Sequence, residues 1–206
     1  MIDCGPDFRQ QMLGQEFKKI DAVLLTHVHY DHVGGIDDLR PFCAFGRIDI
    51  YSDFKTSERL KCSIPYCFGE NKYPRVPNIR LNVIKPHQLL HIGGIDVMPV
   101  QVMHDKLPIL GYRLGDLMYI TDMKTIGDNE LEYFHGVKVL VVNALRFTPE
   151  HHSHLTVGQA VAFAKKVGAE HTFFTHMGHD IGLHDDVNKM LPNGIKLAYD
   201  GQIIDF

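Results

Sequence analysis

A mixed α/β fold, with sheets sandwiched between helices, is what this 206-residue sequence predicts, and three observations predict it. Short runs rich in β-branched and aromatic residues recur along the whole chain. In the first half they meander, whereas in the second half they alternate with amphipathic stretches of helical period. Several of the runs end in a histidine or an aspartate, an arrangement that brings side chains together at the strand ends of layered folds. A content of 45% hydrophobic and 22% charged residues leaves enough apolar chain for a substantial core, and the length favours one domain over 1–206.

The strand runs are, in order, "DAVLLT", "RIDIYS", "IRLNVI", "IDVMPVQVM", "ILGYRL", "LMYIT", "VKVLVV", "HTFFT" and "IKLAYD". The last is expected to continue past Asp200-Gly201 into "QIIDF" as a hairpin, because Asp-Gly suits a two-residue turn. Helices are expected over about 32–45, 54–62, 128–135, 156–167 and 184–191. The one from Thr156 is the clearest: Thr156 and Gln159 form a capping box, Val157, Ala160, Val161, Ala164 and Val167 share a face, and Gly168 closes it. One segment, 61–78, has three prolines and three aromatics and no regular period; it is either a lid over a site or a surface excursion.

Composition excludes several classes of function. A formal charge of -4 gives no overall basic field for a polyanion, so nucleic acid is not the expected partner. No run of 18 apolar residues occurs, and "MIDCGPDFRQ" lacks both the basic start and the apolar stretch of a signal peptide, which points to the cytoplasm and away from membranes. Cys4, Cys43, Cys62 and Cys67 are scattered without a C-x-x-C pair, so free thiols are expected rather than a disulfide framework or a cysteine zinc knot.

The chemistry concentrates in "THVHYDHVGG", Thr26 to Gly35, directly behind an apolar strand. His27 and His29 are two apart and point the same way from extended backbone, while Asp31 and His32 open the next helix. Gly34 and Gly35 remove side chains that would crowd the backbone there. Three more strands end alike, at His104, Asp122 and His176. Singly, each histidine reads as a core or loop residue; together they supply the six or seven nitrogen and oxygen ligands that two ions of zinc, manganese or iron require.

On these residues the chain resembles the metallo-β-lactamase superfamily, which implies an αββα four-layer sandwich with a dinuclear centre. The resemblance assigns His27, His29 and His104 to one ion, Asp31, His32 and His176 to the other, and Asp122 to both, giving two zinc or manganese ions per chain. A carboxylate at the bridge points to the phosphodiesterase and nuclease side of the family. "IDCGPDFR", "YITDMKTI", "VNALRFTPEHHSHLTVGQA" and "THMGHD" resemble the phosphodiesterase of the carbon-phosphorus lyase pathway, which opens cyclic ribose phosphates, and its bacterial relatives. In that family further strands precede "IDCGPD", so the amino terminus reads as shortened, with an open sheet edge that favours self-association, such as a homodimer.

The reaction so implied is hydrolysis of a small cyclic ribose or nucleotide phosphate ester by hydroxide held between two ions roughly 3.5 to 4 Å apart. The catalytic candidates are His154, as acid for the leaving alkoxide, and Asp31. His151 and His152 look like solvated loop residues. Arg146 either pairs with a phosphate oxygen or makes a surface salt bridge. Asn143 stands where tRNA-processing relatives have a carboxylate, and reads as an amide relay or substrate contact or as a polar strand end. Asp7 either orients a ligating histidine or caps a helix. His179 and His184 are the remaining half of a structural metal site or carry no metal. The competing functions are an RNase Z-like endonuclease, a hydrolase of carbon esters, thioesters or lactams, and a non-catalytic metal-binding remnant.

Overall fold

The computed structural model describes residues 1–68 and 75–206. The chain divides into two compact units, Met1–Gln88 with Ile92–Gly94, and Leu89–His91 with Ile95–Phe206. Each carries a sheet with helices against it, the mixed α/β class that the strand and helix pattern predicts.

In the first unit the strands β1 (Ala22–Leu24), β2 (Ile48–Ser52) and β3 (Ile79–Val83) form a parallel sheet in that order. Helix α1 (Phe8–Leu13), α2 (Tyr30–Val33), a 3-10 helix (Ile36–Phe45) and α3 (Phe54–Ser63) accompany it. The core is Phe8, Val23, Leu25, Ile36, Leu39, Phe42, Ile48, Ile50 and Leu60. Helix α3 starts where expected because the Asp53 carboxylate accepts the Thr56 amide at 2.8 Å. The helix expected over 32–45 is instead two pieces. Gly34 and Gly35 interrupt it, and Pro41 lies inside the second piece, where its missing N–H costs an α-helical bond. Residues 69–74, in the middle of the 61–78 segment, lie outside the described residues; its first part forms the end of α3 and a 3-10 turn at Pro65–Cys67.

The amino-terminal segment and the histidine motif meet backbone to backbone. The Cys4 amide donates to the His32 carbonyl at 2.7 Å and the Gly35 amide to the Cys4 carbonyl at 2.9 Å. A Cβ on Gly35 would stand 2.2 Å from the Gly5 carbonyl oxygen, and one on Gly5 would stand 2.4 Å from that of Asp31. Glycine is required at both positions by this approach, not by backbone angle.

In the second unit β4 (Leu90–Ile92), β5 (Ile95–His104), β6 (Leu107–Leu114), β7 (Leu117–Tyr119), β8 (Val139–Asn143), β9 (His171–Thr175) and β10 (Ile195–Leu197) form a sheet in the order β10-β9-β8-β7-β6-β5-β4. Strands β7 to β10 are mutually parallel, and β6 runs against both β5 and β7. The carboxyl ends of β5, β7, β8 and β9 therefore lie on one edge of the sheet. That topology gathers His104, Asp122 and His176. Helix α4 (Val157–Val167) shows the expected capping box and ends on Gly168 at φ 73°, burying Val157, Ala160, Phe163 and Ala164. The 128–135 helix is a 3-10 helix, Asp128–Phe134, and α5 (His184–Met190) lies between β9 and β10.

The hairpin expected at Asp200-Gly201 does not form. Strand β10 stops at Leu197, the Gln202 amide closes a turn onto the Tyr199 carbonyl at 3.1 Å, and Ile203 beyond it is 88% exposed. The Asp-Gly turn is present, but "QIIDF" does not pair with the open edge of β10. All four cysteines are free, as expected, with Cys4 and Cys67 buried. No helix among the described residues is long and apolar enough to cross a membrane.

Candidate metal centre

In the first unit, β1 delivers buried Thr26 and His27, exposed His29 follows, and α2 supplies exposed Asp31 and buried His32. One carboxylate organises them. Asp3 accepts the Thr26 amide (2.8 Å), the Thr26 hydroxyl (2.8 Å) and His32 Nδ1 (2.7 Å). The Thr26 hydroxyl has one proton and gives it to Asp3, so toward His27 Nδ1, 3.0 Å away, it is an acceptor. Both His27 and His32 are thereby held with the proton on Nδ1 and the lone pair on Nε2, the form that ligates a metal. His27 Nε2 and His29 Nδ1 are 2.9 Å apart, and Asp31 Oδ2 lies 3.2 Å from His32 Nε2. Ligand atoms on one ion at zinc–nitrogen bond lengths stand about 3 Å apart, so this spacing suits shared coordination. Burial pushes the Asp3 carboxyl above its usual range, against the lowering effect of His32 and Thr26.

Asp3 takes the orienting role considered for Asp7. Asp7 sits at the cap position of α1 without a side-chain cap bond. The signal for Asp3 was available: it ends a short apolar run beside β1, and Ile2 bridges Leu24 in parallel. It is the strand-end rule that picks out Asp122, hidden by a run of only two residues.

In the second unit His104 is buried in phase with Val100 and Val102 on β5. Its Nδ1 faces two carbonyl oxygens, of Asp122 at 2.8 Å and Ser153 at 3.1 Å, so the proton is there and the lone pair on Nε2. Asp122, 2% exposed, accepts the Thr121 hydroxyl on Oδ2 at 2.8 Å. Its Oδ1 faces His154 Nε2 at 2.8 Å and His176 Nε2 at 3.1 Å, and those two rings stack at 5.0 Å. Ligand atoms of His104, Asp122 and His154 all lie within 4.8 Å of one another. The donor set in each unit, imidazole nitrogen with carboxylate oxygen, fits a divalent transition metal.

Backbone strain marks the same residues. Asp3, Asp122 and His176 hold φ of 53°, 54° and 55°, a left-handed conformation that costs a non-glycine residue about 1–2 kcal/mol. Such strain persists where surrounding bonds over-determine it.

A family profile described as "Beta-lactamase superfamily domain" matches residues 1–177. The chain belongs to the beta-lactamase superfamily. Within it, a solved structure described as a new diphosphatase from the PhnP family superposes with a TM-score of 0.90 at 37% identity, covering 100% of this chain and 79% of that one. An octanoyltransferase of Porphyromonas gingivalis is 39% identical over 201 residues, and a ribonuclease Z of Acaryochloris marina 28% identical over 122. This chain spans 41% of the former's length, and its match to the latter takes in 56% of this chain and 37% of that protein.

The remaining site residues of this superfamily member are engaged in the fold. Asn143, fully buried, accepts the Met123 amide at 2.8 Å and donates to the Met123 carbonyl at 3.0 Å, so its amide braces the backbone after Asp122. Both polar atoms of the amide thus bond the Met123 peptide, in keeping with the strand-end reading. Arg146 bonds the Pro149 carbonyl at 3.0 Å and pairs with Asp180 at 3.4 Å, the salt-bridge alternative. His184 Nε2 lies 3.3 Å from the Leu197 carbonyl, tying α5 to β10, and His179 is exposed; among the described residues neither joins a group of three ligand atoms. His151 was expected to be solvated and is half-buried against His154, whereas His152 is exposed as expected.

Proposed function

We propose that this chain is a metal-dependent phosphodiesterase acting on a small cyclic ribose or nucleotide phosphate ester, with two divalent ions, zinc or manganese. His27, His29 and His104 would hold one ion, Asp31, His32 and His176 the other, and Asp122 both. Bound ions would bring the pKa of water from about 15.7 toward roughly 7 and offset the charge on the phosphate. The likeness to a diphosphatase along the whole chain supports the reaction class.

The observation that carries the reading is His154 Nε2 at 2.8 Å from the Asp122 carboxylate. The ligating histidines His27, His32 and His104 are each fixed by an acceptor at Nδ1 that cannot donate back. Nδ1 of His154 instead faces a serine hydroxyl and a second imidazole, neutral groups in place of carboxylate or carbonyl oxygens, and leaves Nε2 toward Asp122. In hydrolysis a water gives up one proton to solvent as its oxygen attacks phosphorus, the bond from phosphorus to the leaving oxygen breaks with its electron pair, and His154 Nε2 protonates that leaving oxygen. Acyl transfer through a thiol, by contrast, finds no nucleophile in the buried Cys4, whose thiol is pushed up to about 12.

The test is turnover of bis(p-nitrophenyl) phosphate, a cyclic ribose phosphate and a precursor tRNA with added manganese or zinc. Hydrolysis of the first two is expected. His154→Ala should keep its metal and lose about 10²- to 10⁴-fold on the sugar ester, with a smaller loss on the nitrophenyl ester, whose phenolate leaves unaided. Cleavage of the tRNA alone would favour the endonuclease, and no turnover would favour the metal-binding remnant.

A further inference from the structure

His151 lies at the start of "HHSHL", on the loop between β8 and α4, and the proposed chemistry makes no use of it. Its Nδ1 is 2.9 Å from Nδ1 of His154, and two nitrogens that close need one proton between them. The backbone says which ring carries it. The Ser153 amide, which can only donate, points at His151 Nδ1 at 3.3 Å, so that nitrogen holds a lone pair. The proton in the contact therefore belongs to His154. The Ser153 hydroxyl, 3.1 Å from His151 Nδ1 and 3.0 Å from His154 Nδ1, closes the triangle.

We infer that His151 is a positioning residue for His154: its Nδ1 accepts the Nδ1 proton of His154 and thereby fixes Nε2 as the nitrogen that faces Asp122 and the leaving group. The inference rests on the reading of His154 as the acid. A neutral imidazole does here what carbonyl and carboxylate oxygens do for the ligating histidines, but without a full negative charge. Burial, followed by the neighbouring His154, His152, Arg146 and His104, holds the His151 pKa below its usual value, which keeps it the neutral acceptor. The loop is clamped as well. Lys124 Nζ reaches Glu150 at 2.8 Å, Gln159 at 3.3 Å and the His154 carbonyl at 3.4 Å, tying the loop to the cap of α4.

The experiment compares His151→Ala and His151→Gln with the unmodified protein in metal content, in rates on a cyclic ribose phosphate and bis(p-nitrophenyl) phosphate, and in the imidazole nitrogen NMR of His154. Loss of the partner that fixes a ring typically costs about 10- to 100-fold. That loss is expected in His151→Ala on the sugar ester, with several-fold less on the nitrophenyl ester, full metal content, and a His154 Nδ1–H signal that shifts or disappears. His151→Gln, whose amide oxygen can accept the same proton, should recover part of the loss. An unchanged ratio of the two rates with an unchanged His154 signal overturns the inference, as does loss of metal. If the unmodified protein hydrolyses neither ester, the phosphodiesterase reading falls, and the nitrogen spectrum still decides whether His151 sets the His154 tautomer.

Discussion

Removing the Asp3 carboxylate should loosen the whole first-unit ligand set, although Asp3 is not itself a proposed ligand. Three donors converge on it: the Thr26 amide, the Thr26 hydroxyl and His32 Nδ1, at 2.8, 2.8 and 2.7 Å. Each buried donor left unsatisfied costs about 1–3 kcal/mol. The hydroxyl can rotate and the imidazole can move its proton to Nε2, so only the Thr26 amide bears its full penalty. Removing a carboxyl that burial already disfavours returns part of the cost. Asp3→Ala should therefore lower stability by about 1–3 kcal/mol, and Asp3→Asn, which keeps one acceptor, by about half of that. The assay is urea denaturation in the presence of a chelator, followed by chelator competition for zinc, where an affinity loss of about 10- to 100-fold is expected. Asp3→Ala within 0.5 kcal/mol of the unmodified protein, taken as roughly the spread of neutral surface changes, with unchanged zinc affinity would refute the reasoning.

Three further outcomes follow from the geometry. Elemental analysis after reconstitution should find about two ions per chain, and Asp122→Ala should lose both together, since a shared carboxylate serves both; loss of one would remove Asp122 from the bridge. Gly35→Ala drives a methyl to 2.2 Å from the Gly5 carbonyl, so the amino-terminal segment must move, at a cost of about 1–3 kcal/mol in denaturation; an unchanged midpoint would contradict that approach. With its thiol pushed up to about 12, Cys4 has a thiolate fraction of only about 10⁻⁴ at pH 8. A maleimide should label exposed Cys62 and leave Cys4 unlabelled until unfolding or strongly alkaline pH; early labelling of Cys4 would refute its burial.

The strands were legible because their residues answer to burial: β5 alternates, and β1 is an unbroken apolar run between two neighbours. The helix from Thr156 was legible because capping box, apolar face and closing glycine agree. What escaped notice was short or decided by contacts distant in sequence. Helix α1 has six residues and one buried side chain, too few for a period, and β4 has three residues. The metal-ligand candidates were visible as strand ends, whereas their partners were not. Asp3 lies 23 residues before Thr26 and 29 before His32, and His151 needed the fold of its loop to turn toward His154. Asn143 drew attention because it stands where tRNA-processing relatives have a carboxylate; its pairing with the Met123 peptide is a contact that no local pattern reveals.

The parallel run of β7, β8 and β9 divides the labour between the two edges of that sheet. Every chemical residue of the second unit leaves from the carboxyl edge. The opposite edge is made of exposed turns at Gly115, Gly136 and Gly168, none of which touches the site. Those turns are where a reporter dye, an affinity tag or an inserted domain can be placed with the least disturbance, since exposed loop tips tolerate insertion. A linker entering at Gly136 or Gly168 would anchor the protein to a support with its carboxyl edge turned outward. Surface display of this chain is thus a matter of choosing the edge, and the topology has already chosen it.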